Sequence, residues 1–399
     1  VERRPAGPQR DGVLRLLSLE LNFSDERCAQ ALSDERYLAA MARFEGALAA
    51  GCAKAGLIPA AHAQAIQRAC AGARFDAAAL ALAAREAGTL AIPFIEALRR
   101  QTPGDAASSV HFGATSQDVI DSAASLCLKT AADRLLTLTR ELGNAAAALA
   151  ERHAESPTIA RTLLQPALPV TFGWKAAVWL SLLTRSRANF ARAAAEACVL
   201  QLGGPAGTLS GLGGKGAEVL AAVAAELGLA APGMTWHSAR DGFARLGAET
   251  AILAGAAAKI ARDVSLLMQA EVAEASEPAR PGRGGSSSMP HKRNPALCML
   301  ALEAGQRAPG LAATLLAGLS PEHERGLGQW QGQWLVMRQL FLAASSAAGA
   351  MAEVLAGLEV DTAAMQANLE RLSPKKPSDD TAARAMIEQA LARWREKAP

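Results

Sequence analysis

Residues 285–295 read GSSSMPHKRNP, three consecutive serines followed by a basic cluster (His291, Lys292 and Arg293) and an Asn-Pro pair. A serine can carry a proton in a reaction only if its ordinarily very high pKa is lowered. A nearby ammonium such as Lys292, with the backbone N–H groups of a glycine-rich loop, is suited to that. Glycines 282, 284 and 285 let such a segment open and close over a ligand, and its positive charge suits an anionic one. The charge run is too short for a nucleic-acid contact. On its residues alone the stretch is a lid or a solvated basic loop.

Three other polar segments interrupt a chain otherwise rich in alanine and leucine. In HFGATSQDVIDSA, 111–123, Thr115 and Ser116 stand where a helix starts, with Asp118 in its first turn. Hydroxyls beside the free N–H groups of a helix N-terminus make an anion site, although the same residues serve as an ordinary helix cap. His111 by itself reads equally as a structural histidine. In ARTLLQPALPVTFG, 160–173, Pro166 and Pro169 break a helix and Gln165 offers an amide. In GGPAGTLSGLGGKG, 203–216, the glycines at 211, 213 and 216 match GxGxxG, but no strand precedes them. The segment is therefore read as a flexible polar turn and not as a dinucleotide site.

The elements that must position these segments are helices. Leu38, Met41, Phe44 and Leu48 form one apolar stripe, and Ser33 and Asp34 are sound helix-start residues. Further helices are expected near 60–72, 76–86 and 92–100. Long breaker-poor stretches follow at 117–153, 170–201, 244–277, 296–318 (interrupted at Pro309) and 331–357. Sustained alternation is nearly absent, so strands are not expected. Several helices of this length suggest an elongated bundle. A linker, PKKPSDD, precedes one short basic helix running to Pro399.

Composition excludes several classes. The 399 residues carry 41 basic and 38 acidic side chains, a net charge of +3, which gives no case for nucleic-acid binding. Charges and glycines interrupt the apolar runs, so no membrane span is expected. The N-terminal VERRPAGPQRDG has no apolar core and is read as a tail, not a signal peptide. Six scattered cysteines without a CxxC pair read as reduced and cytoplasmic. No HExxH or His/Cys cluster is present, so no metal is expected.

Segment 285–295 resembles the GSSxMPxKxNP signature of the fumarase/aspartase superfamily, and the resemblance runs over roughly residues 23–345. HFGATSQDVIDSA is similar to the superfamily's first shared region. GGPAGTLSGLGGKG, WHSARDGFA (236–244) and PEHERGLGQWQGQW (321–334) look most like the 3-carboxy-cis,cis-muconate cycloisomerase branch. Adenylosuccinate lyase is a sister branch. The resemblance implies an all-α fold with an elongated central five-helix bundle. The expected division is a tail (1–22), a smaller helical N-terminal domain (23–110), the bundle (111–345) and a short C-terminal helical region (346–399). It also implies a homotetramer in which each active site draws segments from three chains.

By the same resemblance Ser286 is the catalytic serine, with Lys292 and His111 in the catalytic set. Thr115, Ser116, Gln165, His237, Asn294 and Arg325 bind a small polycarboxylate. No cofactor is expected, because the proton chemistry needs no redox partner or electron sink. One departure narrows the reaction. Many members carry a His two residues before this Gln, in a T-H-x-Q pattern tied to protonating the leaving group. Here the segment is TLLQ, and Leu163 cannot transfer a proton. An amine leaving group needs acid help, whereas a carboxylate, with a pKa of about 4, needs none. Leu163 therefore favours lactone formation, the cycloisomerase reaction. A β-eliminating lyase that releases a good leaving group such as nitrite would tolerate the same loss.

Overall fold

The computed structural model describes residues 24–289, 292–373 and 381–397. The expected tail, His291 and the PKKPSDD linker lie outside these residues.

Five short helices open the described chain: α1 (Glu26–Ala31), α2 (Asp34–Lys54), α3 (Ala60–Gly72), α4 (Ala77–Ala87) and α5 (Ala91–Gln101). Each of the starts at Asp25, Ser33 and Asp76 is capped by a side-chain oxygen that accepts a backbone N–H, at 2.9, 3.2 and 3.0 Å. The apolar stripe of α2 is buried, Met41 and Phe44 fully, against α3 and the first long helix.

The long helices are α6 (Ser116–Arg152), α7 (Phe172–Ala197), α9 (Asp241–Leu267), α10 (Ala296–Ala317) and α11 (Gln333–Ala356), with the shorter α8 (Gly216–Leu227) between the second and third. They pack as a bundle: α6 on α7 and α11, α9 on α7, α10 and α11, and α10 on α11. The five-helix expectation is met. Helix α11 is long and apolar enough to cross a membrane by length and composition, yet 78% of its apolar window is buried inside the bundle. Its hydrophobicity is that of a core helix. It also runs unbroken through position 345, where the bundle was expected to end.

Two expectations are corrected. Helix α10 is not interrupted at Pro309. A proline inside a helix removes one hydrogen bond and crowds the carbonyl four residues back, at a cost of about 3 kcal/mol. Here that carbonyl belongs to Gly305, which lies so close to α9 that an added Cβ would sit 2.3 Å from Ala258. Packing on α9 and α11 outweighs the cost. The second correction concerns strands. Where only helix breakers were read, β1 (Pro157–Thr162) and β2 (Gln165–Thr171) form an antiparallel hairpin with Thr162 paired to Gln165. Three prolines hid it. Proline is tolerated in a two-stranded ribbon, where every strand is an edge.

A two-residue pairing, β3 (Ala275–Ser276) with β4 (Glu359–Val360), ties the end of α9 to α12 (Thr362–Leu372). The last helix, α13 (Thr381–Lys397), packs on α7 and α6, with Trp394 Nε1 donating to Asn144 Oδ1 at 2.9 Å.

Candidate functional site

The bundle alternates direction, so the starts of α6, α9 and α11 share one end. That end is a buried polar assembly organised by Asp118, in the first turn of α6. Its Oδ2 accepts the N–H of Thr115 at 3.0 Å and of Gly204 at 2.9 Å. Its Oδ1 accepts the N–H of Gly203 at 3.0 Å and meets His237 Nε2 at 2.7 Å. One carboxylate thus fastens the glycine-rich 203–216 segment to the helix start. Reaching back to Thr115 is the acidic half of a capping box. The Thr115 hydroxyl also accepts Arg325 Nη1 at 3.1 Å. The same guanidinium donates from Nε to Gln117 Oε1 at 3.1 Å and from Nη2 to the Gly204 carbonyl at 3.4 Å. His237 is 3% exposed, and its own carbonyl accepts Gln117 Nε2 at 2.9 Å. It is linked to the Arg325 guanidinium through Gln117, and among the described residues its Nδ1 has no hydrogen-bond partner.

Beneath this layer Arg240, 1% exposed, pairs in bidentate fashion with Asp121 at 2.6 and 3.0 Å and donates to Gln333. The rings of Trp236 and Phe243 lie 4.7 and 5.0 Å from its guanidinium carbon. His111 joins from the turn before α6, its Nδ1 2.7 Å from Glu45 Oε1 on α2. The structure thus brings together His111, Thr115, Ser116, His237 and Arg325 among the expected residues. Sequence reasoning missed Gln117, Asp121, Arg240 and Glu45. Glu45 did carry a signal, a lone carboxylate on the buried stripe of α2. The Asp121–Arg240 pair, 119 positions apart, carried none.

The other expected residues sit at the opposite end. Helix α9 has 27 residues and is about 40 Å long, and α6 has 37 and is about 55 Å long. The serine loop follows the far end of α9. Gly284 has φ +65°, and its missing Cβ lets the backbone of Asn294 approach. An added Cβ would sit 2.3 Å from the Asn294 carbonyl oxygen, and the Asn294 N–H donates to the Gly284 carbonyl at 2.8 Å. The loop is therefore closed at its base. Within it the Ser286 hydroxyl accepts the Met289 N–H at 3.1 Å, and Asn294 Nδ2 donates to the Gly285 carbonyl at 3.4 Å. Arg293 anchors the loop by donating to the Glu277 carbonyl at 2.7 Å and pairing with Glu359 at 3.3 Å. Lys292 is exposed and lines a cleft of about 840 Å³ with Met289, Glu359 and Thr362. Glu277 caps α10, accepting the N–H groups of Leu297 and Cys298 at 3.1 and 2.7 Å.

Gln165 is carried by the hairpin that follows the far end of α6, beside its tip. The hairpin base is fixed by the buried Glu274, which accepts Arg161 at 2.7 and 3.0 Å, Thr158 at 3.2 Å and Asn368 at 2.9 Å. At the tip Leu163 and Leu164 both have positive φ, +52° and +65°, and are 97% and 73% exposed. A left-handed conformation costs a non-glycine residue about 1–2 kcal/mol. Two exposed leucines in that conformation are a strained, projecting apolar tip.

Within one chain, then, the expected site residues divide between the two ends of the bundle, with His111, Thr115, Ser116, His237 and Arg325 at one and the serine loop and the Gln165 hairpin, which follow the far ends of α9 and α6, at the other. The comparisons with known proteins bear on how they are used. The model of the family described as Lyase matches residues 23–310. A 3-carboxy-cis,cis-muconate cycloisomerase from Bradyrhizobium diazoefficiens is 48% identical over 344 residues, covering 85% of this chain and 76% of that protein. A nitrosuccinate lyase from Streptomyces davaonensis is 41% identical over 367 residues, covering 88% and 77%. Among solved structures, the 3-carboxy-cis,cis-muconate lactonizing enzyme from Pseudomonas putida superposes with a TM-score of 0.89 at 32% identity, covering 96% of this chain and all of that one. The bundle, the serine loop and these relatives agree: the chain belongs to the Lyase family, the fumarase/aspartase superfamily.

Proposed function

We infer that the protein is a 3-carboxy-cis,cis-muconate cycloisomerase. The observation that carries this reading is the 48% identity to a cycloisomerase over 85% of the chain. Leu163, standing where an amine-releasing lyase would keep a proton donor, agrees with it. In the reaction one carboxylate oxygen of the substrate adds to the alkene carbon β to another carboxylate. Charge builds on that second carboxylate as an enediolate. Lys292, Asn294, Thr115 and Ser116 stabilise it, with Arg325 holding a carboxylate beside Thr115. Fixed donors aimed at developing charge contribute more to the rate of such reactions than any other single effect. Ser286 then delivers a proton to the α carbon, or removes it in the eliminating direction. Gln165 holds a further carboxylate.

The site is completed by more than one copy of the chain. Support comes from the length of α6, about 55 Å, which lies between Thr115 at its start and the hairpin of Gln165 beyond its end, and from the exposed Lys292 and the exposed leucines of the hairpin tip. A homotetramer in the cytoplasm, where the six unpaired cysteines remain reduced, accommodates this arrangement. Two experiments test the reading. Purified protein mixed with 3-carboxy-cis,cis-muconate should remove the diene absorbance, and no change would overturn the assignment. Ser286→Ala and Arg325→Ala chains, each inactive, should regain part of the activity when dissociated and reassociated together. A mixture no more active than its parts removes the shared site. The 41% identity to a nitrosuccinate lyase favours one alternative, the release of nitrite from nitrosuccinate. That activity is measured in parallel.

A further inference from the structure

Glu45 lies on the core-facing side of α2, its side chain fully buried. One oxygen meets His111, and the other, Oε2, has no hydrogen-bond partner among the described residues. A carboxylate taken out of water is tolerated only when paired. Its other titratable neighbours, Cys52 and Cys70, offer no counter-charge. Their thiols are pushed up to about 11 and about 12, by burial first and by the Glu45 charge second. A protonated His111 supplies the counter-charge that this buried carboxylate otherwise lacks.

The ring is oriented as well as charged. His111 has φ +66°, a left-handed backbone that a non-glycine residue keeps only when its surroundings enforce it. Its Nδ1 faces Glu45 and its side chain is 15% exposed, with no protein partner for Nε2 among the described residues. From α5, Arg99 donates to the Val110 carbonyl at 3.2 Å beside it, and from α6 comes Asp118. Burial works against the imidazolium, as does Arg99. The charge and hydrogen bond of Glu45, with Asp118 behind, outweigh both, and His111 is raised above its ordinary value.

We propose that Glu45 is a positioning residue that grips His111 by Nδ1 and so presents Nε2–H as a cationic donor to a substrate carboxylate on the turn that carries Thr115. This deepens the proposed function and rests on that reading of the Thr115 end. It gives the carboxylate pocket a second cation beside Arg325, one that is present only while the imidazole is protonated.

The test is the titration of His111, followed by NMR of protein labelled with 13C-histidine and assigned with His111→Gln, together with the pH profile of kcat/KM. In Glu45→Gln the charge is gone while size is kept. The His111 titration should fall below the ordinary histidine value, and the alkaline limb of kcat/KM should move down with it by at least one pH unit, about tenfold at the pH of the wild-type limb. Glu45→Asp should shift both in the same direction by less. Glu45→Gln added to His111→Gln should cost nothing further. An unmoved His111 titration, or an equal loss of kcat/KM at every pH, overturns the proposal. The titration needs no substrate, so it reads the pair even if 3-carboxy-cis,cis-muconate proves not to be turned over.

Discussion

The two ends of the bundle solve opposite problems. At the Thr115 end, Asp118, Asp121, Gln117, His237, Arg240, Arg325 and Gln333 are joined to one another by hydrogen bonds, most of them away from water. At the Ser286 end the serine is held, among the described residues, by a local turn alone, Lys292 is exposed, and the loop is tied down through Arg293 and the base at Gly284. The first end cannot lose a partner without stranding a buried charge. The second can lose its reactive side chain with little structural cost. Stability and the proposed proton transfer are thus separated along the bundle, and substitutions should separate them too.

The largest expected effect is on chemistry alone. Ser286→Ala should lower kcat by about 10³-fold, the range of a lost proton-transfer group, while thermal unfolding moves by no more than about 2 °C. Activity within a few-fold of wild type, with assembly intact, would refute the role of Ser286. Arg240→Ala should do the reverse. It leaves Asp121 buried and unpaired, and equilibrium denaturation should show a loss of about 3–5 kcal/mol. A loss under about 1 kcal/mol, the range of an exposed pair, would mean the Thr115 end is less tightly coupled than its geometry. Gly284→Ala sharpens the comparison, because its Cβ must displace Asn294. We expect kcat/KM to fall about 10²-fold through misplacement of the loop, with melting nearly unchanged. The smallest effect is at the hairpin tip. Leu163→Gly should relieve a strained φ and stabilise an isolated chain by about 1 kcal/mol. If the tip meets another copy, the same change should weaken assembly, as read by sedimentation at low protein concentration.

Much of this was legible beforehand. The helices at 60–72, 77–87, 116–152 and 333–356 follow apolar periodicity and breaker positions, which are local properties of the chain. The serine loop and the ATS helix start were legible because glycine, serine and threonine have specific backbone uses. The β-hairpin was not, since proline and leucine at its turn contradict the local preferences for strands and for left-handed residues. Nor was Pro309 inside α10, where packing overrides propensity. Of the site, residues in its sequence motifs could be named, while Glu45, Asp121 and Arg240 and the two ends of the bundle the residues occupy could not.

The amino-acid sequence by itself determined most of the helices and the superfamily. These depend on residue identity and short spacings. The tertiary structure alone decided that Asp118 gathers Thr115, Gly203, Gly204 and His237, that Glu45 lies against His111, and that Ser286 stands a bundle length from Thr115. The physical reason is that hydrogen bonds and ion pairs between residues 66 to 119 positions apart exist only once helix packing has fixed which ends of the rods come together.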